Sequence, residues 1–405
     1  MSYQKTNKNK GLRRVNSMNK SRTVLAQMQQ LISRFHFEKL VSEYKTDKNV
    51  RTFTTWNLLQ VMLYTQLDFK KSLRDICMSL ESKMNRWYHL GLRSVSRNNL
   101  SNSLMKRSSE VFEKTFYSLL EKVQAEKSHS ANKRFKFKNP LKAIDSTTIS
   151  LCLSLFDWAS FRKTKGGIKV HTMYDIKNQI PNFMVITKAK INDHKAFPAV
   201  PFKKGSIYVL DRGYLCLKNL EKINEIGGVF VTRTKSNTLY RVIKKKEISG
   251  KGIIKDCLIR FTGVKASDYP EAVRLVRYKN PEDGKVYDYI TNNFSLAAAT
   301  IASIYKSRWD IELFFKWIKQ NLRVKTFIGT SENALRIQIW TAAIVYLLLE
   351  YIRFVSKTLF SLTEVFRILS SNIFSDKNII ELLTKRKRYV SKKNSALEFQ
   401  LDFGF

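Results

Sequence analysis

The sequence predicts an α/β protein in which a mixed β-sheet flanked by helices is preceded by an all-α region and followed by further helices. Apolar residues recur at helical spacing up to about residue 127, form strand-like runs from residue 141, and return to helical spacing from residue 296. The chain has 405 residues. That length suits two or three domains and is enough to bury at least one sizeable core.

Charge is the strongest feature of the composition. The chain carries 73 Lys and Arg residues against 33 Asp and Glu residues, a formal net charge of +40. A hydrophobic share of 43% excludes a disordered basic tail, because such a tail lacks the apolar surface that offsets the entropy of ordering. A folded basic surface most often binds nucleic acid, where each neutralised phosphate releases counterions, and an anionic membrane surface is the alternative.

Neither a membrane span nor a secretory signal is expected. The longest uncharged apolar stretch, residues 339–349, is about half of the ~20 residues that cross a bilayer, so it predicts a buried helix. Residues 1–20 are basic and lack the apolar core of a signal peptide, so we expect a disordered arm and a cytoplasmic protein. The four cysteines lie far apart and are predicted to be reduced core thiols: Cys77, Cys152, Cys216 and Cys257.

Helical spacing predicts an all-α domain over residues 21–127, with apolar faces in residues 24–35, 56–67 and 73–90. Ser96 is expected to cap a further, Arg-rich helix. That helix could read DNA as part of a helix-turn-helix or be an ordinary surface helix, and the residues favour neither. The polar, basic residues 128–139 predict a linker.

Residues 140–350 are predicted to form the next domain. Up to residue 232 the elements follow the order β-β-β-(α)-β-α-β, which fits a mixed sheet flanked by helices. Further strand-like runs over residues 238–292 predict an all-β insertion, and residues 297–320 predict one long helix. Residues 351–405 are predicted to be a helical, basic C-terminal region.

Two aspartates stand out because acids are scarce in this chain. Asp145 lies within the apolar strand over residues 141–148, and Asp211 directly follows the strand over residues 207–210. A half-buried carboxylate costs free energy unless it is paired or holds a metal. Each aspartate alone fits a salt-bridged or capping role better than a catalytic one, but together on adjacent strands they favour a metal site.

The helix over residues 297–320 carries four polar residues on one narrow stripe of its surface: Tyr305, Arg308, Glu312 and Lys319. One interpretation is a solvated face on which Arg308 and Glu312 form an i,i+4 ion pair. The alternative adds Glu312 to the two aspartates, so that three carboxylates hold two Mg²⁺ ions for in-line displacement at a phosphodiester. The rest of the stripe would then bind neighbouring phosphates.

The same residues resemble the DDE transposases of bacterial insertion sequences, specifically the insertion-sequence-four type. The Y-R-E-K signature of that group is similar to Tyr305-x2-Arg308-x3-Glu312-x6-Lys319, which follows Asp145 in I-D-S-T and Asp211 in D-R-G-Y. The segments Gly167-x-Lys169-x-His171 and Asp193-His194 also resemble parts of that family between its two aspartates. The resemblance covers roughly residues 20–350.

The resemblance implies an RNase H-like catalytic domain with a β insertion, in which Asp145, Asp211 and Glu312 are the catalytic and metal-binding triad. The implied cofactor is Mg²⁺ (two ions), for which Mn²⁺ can substitute. Tyr305, Arg308 and Lys319 are the implied DNA contacts. Family members cut transposon ends and join the freed 3′-hydroxyls to target DNA as dimers in a synaptic complex, so the implied partners are double-stranded DNA and a second copy of the chain.

Finer roles are also implied by the resemblance. The N-terminal helical domain resembles an accessory domain, for which binding of the terminal repeats is the natural hypothesis. Hairpin-forming relatives stack an aromatic side chain of the β insertion on a flipped base, and Tyr287 and Tyr289 are the candidates, although both also fit as packed strand residues. The basic cluster at residues 385–388 fits a solvated tail better than a DNA contact. The implied location is the bacterial cytoplasm, with nucleoid association when DNA is bound.

Two other functions share some of these features. A nuclease of the RNase H-like superfamily would use the same triad but release its cut DNA without joining it. An inactive transposase copy would keep the basic surface and act only as a DNA-binding protein.

Overall fold

The computed structural model describes residues 23–68, 72–92, 95–127, 134–162, 165–324 and 327–384. The chain folds as two compact units, one formed by residues 1–127 and 321–405 and the other by residues 128–320. The predicted arm at residues 1–20, the first half of the predicted linker and the basic cluster at residues 385–388 lie outside the described residues.

The N-terminal part of the first unit is helical, as predicted. Its helices are α1 (Val24–Gln29), α2 (Arg34–Glu43), α3 (Thr55–Leu67), α4 (Leu73–Glu81), α5 (Arg97–Lys106) and α6 (Ser109–Lys127). Every residue of α3 is buried, and a capping box between Thr54 and Asn57 begins this helix. The predicted cap at Ser96 is confirmed, because its Oγ accepts a hydrogen bond of 3.2 Å from the Asn99 N–H at the start of α5.

The second unit contains a mixed sheet. Its elements in chain order are β1 (Leu141–Leu151), β2 (Ser160–Arg162), β3 (Lys165–Asp175), β4 (Ile180–Lys188), α7 (Asp193–Ala196), β5 (Ile207–Leu210), α8 (Leu217–Glu225), β6 (Val229–Arg233), β7 (Tyr240–Lys245), β8 (Ile253–Phe261), β9 (Val273–Lys279), β10 (Val286–Thr291), α9 (Ala298–Lys306) and α10 (Trp309–Asn321). The β-β-β-(α)-β-α-β order predicted for the first part of this unit is present with one addition, the short strand β2 between the first and second predicted strands.

The register between β1 and β5 determines which residues of these two central strands lie side by side. β1 pairs antiparallel with β3, which pairs with β4, whereas β1, β5 and β6 are parallel neighbours. In the parallel ladder Ile144 of β1 lies beside Leu210, the last residue of β5. The residue that follows each of these two is an aspartate, so the register alone brings Asp145 and Asp211 to adjacent positions.

The strands over residues 238–292 continue this sheet. β10 pairs antiparallel with β6, and the full order is β2-β3-β1-β5-β6-β10-β9-β8-β7, with β4 on β3. The four strands β7–β10 predicted for this segment are present, but they extend the central sheet through the β6–β10 pair instead of closing on themselves. Their buried side chains, such as Cys257 and Leu275, join the same core as Ile144 and Leu210.

The long helix predicted over residues 297–320 is two helices. α9 ends at Lys306 and α10 begins at Trp309, with Ser307 and Arg308 between them. The Ser307 hydroxyl donates a hydrogen bond of 2.6 Å to the carbonyl of Ile304. A serine that bonds backward to the preceding turn competes with the regular helical bonds, which accounts for the break at this point.

The C-terminal helices complete the first unit. They are α11 (Glu332–Ser356), α12 (Leu362–Ser371) and α13 (Ile379–Thr384), and α11 packs against α6 and α3. Backbone hydrogen bonds from Val24 and Leu25 to the carbonyls of Ser375 and Ile373 join the two ends of the chain within this unit.

The apolar stretch 339–349 lies in α11 and is buried, as predicted. Among the described residues α11 is the one helix long and apolar enough to cross a membrane, and 89% of its most apolar window is buried within the protein. All four cysteines are free. Cys77 and Cys257 are buried, but Cys152 is exposed and Cys216 is half-buried, so the prediction of core thiols is wrong for Cys152.

Candidate active site

The end of the parallel ladder between β1 and β5 places the first two carboxylates. Asp145 follows Ile144 in β1, and its side chain is 19% exposed; Asp211 follows Leu210 of β5, and its side chain is 41% exposed. β5 ends here because Asp211 caps a short 3-10 turn, accepting a hydrogen bond of 3.1 Å from the Gly213 N–H. The Ser146 N–H donates to Oδ1 of Asp145 at 2.7 Å.

Arg308 joins these aspartates to Glu312. Its Nη1 lies 3.3 Å from Oδ2 of Asp145, its Nη2 lies 2.5 Å from Oε1 of Glu312, and its Nε lies 4.0 Å from Oδ1 of Asp211. The Arg308 side chain is only 14% exposed. The i,i+4 pair expected for a solvated helix face is therefore present, but it faces the two aspartates, and three carboxylates converge on one guanidinium.

Burial controls the protonation of Asp145. It raises the pKa of this carboxyl to about 6, and the negative charges of Asp211 and Glu312 act in the same direction. The Ser146 N–H and the Arg308 charge act in the opposite direction by stabilising the carboxylate. This raised pKa, in a group that faces two other carboxylates, is typical of a functional site.

Tyr305 and Lys319 are the other members of the predicted stripe, and of these two Tyr305 contacts Arg308. The Tyr305 ring is 8% exposed and packs against Tyr289 at 4.8 Å between ring centroids, and the Arg308 guanidinium lies 5.8 Å from its centre. Burial raises the pKa of the Tyr305 hydroxyl. Lys319 is half-buried on α10, seven residues and therefore about 10 Å along the helix axis beyond Glu312.

The two tyrosines that we considered as base-stacking candidates are packed side chains. Tyr289 is 4% exposed and lies between Tyr287 and Tyr305. Tyr287 is half-buried, stacks on Tyr289 at 6.2 Å, and has the Arg233 guanidinium 4.5 Å from its ring centre. Both fit the packed-strand interpretation.

A second group of polar residues lies beside Asp145, and sequence reasoning gave it no role. Oδ1 of Asp193 accepts a hydrogen bond of 2.7 Å from the Ser146 hydroxyl and lies 3.1 Å from Nζ of Lys169 and 3.6 Å from Nδ1 of His171. Burial lowers the pKa of His171 to about 4, so its imidazole is neutral near pH 7. We call Ser146, Lys169, His171 and Asp193 the Asp193 cluster.

The donor set of the three carboxylates fits a hard divalent cation. Mg²⁺ binds oxygen ligands, and Asp145, Asp211 and Glu312 supply oxygens alone. All three carboxylates already lie around the guanidinium of Arg308, whose buried Nε has no hydrogen-bond acceptor. In the arrangement with Arg308 between the carboxylates, the described residues include no group of three His, Cys, Asp or Glu side chains placed to hold a metal ion.

Comparison with known proteins identifies the family. The model of a transposase DDE domain matches residues 136–348, which is more than half of the chain. The chain belongs to the DDE transposase family. A second model, of a domain of unknown function (DUF4372), matches residues 20–93 of this DDE transposase family member.

Three curated relatives of this family member are transposases by name. A putative transposase, y4zB, of Sinorhizobium fredii is 36% identical over 214 residues, which are 52% of this chain and 60% of the relative. The probable transposase for insertion sequence element IS5377 of Geobacillus stearothermophilus is 27% identical over 83% of this chain and 86% of its own length. The putative transposase for insertion sequence element IS4SA of Synechocystis is 27% identical over 67% of this chain and 77% of its own length. The prediction of a DDE transposase of the insertion-sequence-four type is therefore confirmed.

Among solved structures, a cryo-EM structure of a piggyBac transposase synaptic complex with hairpin DNA aligns with this DDE transposase family member. The alignment covers 96% of this chain and 87% of that one, with a TM-score of 0.48 and 12% sequence identity.

Proposed function

We propose that this chain is a transposase that binds the terminal inverted repeats of its own insertion sequence, cleaves the ends by Mg²⁺-dependent phosphodiester hydrolysis and joins the 3′-hydroxyl ends to target DNA. The observation that supports it best is the convergence of Asp145, Asp211 and Glu312 on one cationic group within 4.0 Å. The net charge of +40 supports a polyanionic partner. The element order and the parallel β1–β5 register agree with an RNase H-like catalytic domain.

In this proposal Asp145, Asp211 and Glu312 are the residues that would hold the metal. Bound divalent cations supply activation of a water or 3′-hydroxyl oxygen and stabilisation of the leaving oxygen. The protein contributes the placement of its carboxylates: the β-sheet register fixes Asp145 and Asp211, and the first turn of α10 carries Glu312. Catalysis of phosphoryl transfer consists largely of such positioning together with electrostatic stabilisation.

Hydrolysis and joining each break one bond to phosphorus and form another, so neither step needs an external energy source. In the first step a water oxygen forms a bond to phosphorus, the phosphorus–O3′ bond breaks, and the O3′ takes up a proton. In the second step that 3′-hydroxyl loses its proton and its oxygen forms a bond to phosphorus of a target phosphodiester, while the target's own phosphorus–O3′ bond breaks and the released target 3′-oxygen takes up a proton. The same site serves both steps because each is a displacement at phosphorus.

Arg308, Tyr305 and Lys319 are proposed DNA contacts on this face of the catalytic unit. Arg308 is the best placed of the three, because its guanidinium already lies at the carboxylates and matches phosphate geometry. Tyr305 would act through Arg308, whose side chain it contacts, rather than by presenting its buried ring. We propose a homodimer on double-stranded DNA in the bacterial cytoplasm as the working assembly.

The test is cleavage of a DNA fragment that carries the flanking ends of the gene, with the full chain and Mg²⁺. The wild type should nick at the repeat tip, and Glu312→Gln should bind the same DNA without cutting it. Glu332→Gln is the matched control, because Glu332 also forms an i,i+4 pair with an arginine, Arg336, and lies outside the site. Full cleavage by Glu312→Gln would overturn the assignment.

The two alternative functions give different products in the same assay. A nuclease would release cut ends without joined target DNA, and an inactive copy would bind the ends without cutting them. Transfer of a labelled 3′ end to a target plasmid by the wild type, lost in Glu312→Gln, distinguishes the transposase from both.

A further inference from the structure

The strand that carries Asp145 loses one of its neighbours just before this residue. Pairing between β1 and β5 ends at Ile144, whereas pairing between β1 and β3 continues to Leu151. From Asp145 onward the β5 side of β1 therefore has no backbone ladder to hold it. The position of the carboxylate therefore depends on the hydrogen bonds that its own oxygens accept: the Ser146 backbone N–H donates to Oδ1 and Nη1 of Arg308 donates to Oδ2.

Asp193 fixes the residue that holds Asp145. Its Oδ1 accepts the Ser146 hydroxyl hydrogen bond at 2.7 Å, although Asp193 lies 47 positions later in the chain. Ser146 is opposite His171 in the β1–β3 ladder, and Asp193 contacts both of them. The carboxylate thus joins β1 to β3 beside the catalytic aspartate.

Asp193 is itself held by two residues of β3. Nζ of Lys169 lies 3.1 Å from Oδ1 of Asp193 and also donates to the carbonyl of Ile191 at 3.2 Å, so it fixes the loop that precedes α7. The other contact is His171, whose Nε2 lies 3.0 Å from the Thr187 hydroxyl on β4. Three strands therefore determine where the Asp193 carboxylate lies.

Gly213 lies near the carboxylates of both Asp193 and Asp211. A Cβ atom built on Gly213 would lie 3.9 Å from Oδ2 of Asp193 and 3.5 Å from Oδ2 of Asp211. The glycine therefore keeps a side chain out of the space beside these two carboxylates.

We propose that Asp193 is a positioning residue of the reaction site, which acts through Ser146 to hold the Asp145 carboxylate in the orientation that binds the divalent metal. This inference rests on the proposed function, since it assigns the cluster a role in the same metal-dependent reaction. Groups that orient metal ligands typically change metal affinity by about ten- to a hundredfold when removed. A purely structural ion pair would change stability without changing metal affinity.

The test uses the full chain with Ser146→Ala, Asp193→Ala and the double variant. Binding of Mn²⁺ without DNA, followed by the electron paramagnetic resonance of free Mn²⁺, should weaken about tenfold in each single variant. The Mg²⁺ concentration for half-maximal cleavage should rise by a similar factor, with the rate at saturating Mg²⁺ changed by less than about threefold. The double variant should bind Mn²⁺ no more weakly than the weaker-binding single variant, because both substitutions remove the same hydrogen bond.

Two further variants separate position from charge. Asp193→Asn keeps an oxygen acceptor for the Ser146 hydroxyl and is expected to recover part of the metal affinity lost in Asp193→Ala. Asp268→Asn is the matched control, because Asp268 also pairs with a lysine, Lys218, in the same unit but lies away from the triad, and it should bind Mn²⁺ like the wild type. Ser146→Ala changes no charge and keeps the ion pair, so it tests the proposal even if Asp193→Ala fails to fold.

Two results would overturn the proposal. One is a wild-type Mn²⁺ affinity in Ser146→Ala, and the other is a loss of about a hundredfold in the double variant, which would mean that the two substitutions act independently. These results differ from a failure of the proposed function. If the wild type binds Mn²⁺ but cuts no end DNA, the transposase assignment fails while the positioning role is still measured by Mn²⁺ binding. If the wild type binds no Mn²⁺, both fail.

Discussion

Nη1 of Arg308 lies 3.3 Å from Oδ2 of Asp145, a carboxylate whose side chain is 19% exposed. The same guanidinium contacts Glu312 and lies 4.0 Å from Asp211, so it is the one positive group in contact range of all three carboxylates of the site. The stability of this region therefore depends on Arg308 to an unusual degree. A metal ion bound as proposed would compete with Arg308 for the same carboxylate oxygens.

Arg308→Ala should destabilise the catalytic unit. Removing the guanidinium leaves Asp145, Asp211 and Glu312 uncompensated, which should cost about 2–3 kcal/mol, less than the 3–5 kcal/mol typical of a fully buried pair because the site is partly open. Thermal unfolding followed by circular dichroism measures the loss. Arg336→Ala, which breaks an exposed i,i+4 pair with Glu332, should change stability by less than about 1 kcal/mol. Equal midpoints for the two variants would contradict this account.

Divalent metal should stabilise Arg308→Ala more than the wild type. In the variant the carboxylates have no competing cation, so Mg²⁺ should bind more tightly and raise the melting temperature further at the same concentration. Differential scanning fluorimetry with and without Mg²⁺ measures the difference. Arg308→Ala combined with Glu312→Gln serves as the control and should lose most of this gain. A smaller Mg²⁺-dependent shift in Arg308→Ala than in the wild type would show that Arg308 does not compete with metal.

His171 should make the fold less stable in mild acid. Burial lowers its pKa to about 4 from an ordinary value near 6.5, so below pH 6.5 the unfolded chain takes up a proton that the folded chain does not. Its contribution is therefore fully present above pH 6.5 and is lost as the pH falls towards 4, by up to about 3 kcal/mol. Asp145 has the opposite effect. Because its pKa in the folded chain is raised to about 6, the stability it contributes increases as the pH falls from 6 towards its ordinary pKa.

Melting temperatures between pH 7.5 and pH 5 test this dependence. The loss on acidification should be smaller in His171→Gln than in the wild type and unchanged in the control His36→Gln. Asp145→Asn should lose more melting temperature on acidification than the wild type, because it removes the carboxyl group whose protonation offsets the effect of His171. A wild-type slope in His171→Gln would exclude the histidine as the cause.

Gly252→Ala should destabilise the β8–β9 hairpin. Gly252 has φ = +81°, and an added Cβ would lie 2.7 Å from the carbonyl oxygen of Lys279 and from the Tyr278 ring. Gly284 is the control, because it has φ = +66° with open space at the Cβ position. Both variants should lose about 1 kcal/mol from backbone conformation, and Gly252→Ala should lose about 1–3 kcal/mol more from the clash. Unfolding in urea measures both losses, and equal losses would show that the hairpin adjusts freely.

Glu350→Gln should destabilise the first unit. The Glu350 side chain is 4% exposed and lies 3.4 Å from Nζ of Lys127 and 2.9 Å from Nη2 of Arg353. The neutral amide removes the negative charge that lies beside the buried Lys127 ammonium, which should cost about 3 kcal/mol. Thermal unfolding of the full chain should show an earlier transition in this variant, with Glu332→Gln as the exposed control. No change would mean that Lys127 loses its proton or finds water in the folded state.

Much of the candidate site could be predicted because it depends on local patterns. Asp145 lies within one apolar strand and Asp211 directly follows another, and the i,i+4 spacing of Arg308 and Glu312 brings their side chains within reach of each other. The register that pairs Ile144 with Leu210 then brings the acids together. Alternating hydrophobicity and helical spacing are encoded within ten residues, which is why the order of elements was also predictable.

The features that were not predicted depend on contacts between distant parts of the chain. The pairing of β10 with β6 makes residues 238–292 part of the central sheet, and no local pattern records which strand is the neighbour. The break at Ser307 depends on one side-chain hydrogen bond that competes with the helix. Asp193 was noticed by resemblance, but its contact with Ser146 joins residues 47 positions apart and leaves no periodic signal.

The hydrogen bonds from Val24 and Leu25 to the backbone of Ser375 and Ile373 have a consequence for synthesis on the ribosome. Residues 128–320 can fold as soon as they emerge, since their unit is continuous in sequence. The fully buried helix α3 must wait for α11, which is made nearly 270 residues later. We therefore expect a chain truncated before α11 to leave apolar surface of α3 exposed, because this packing partner is missing.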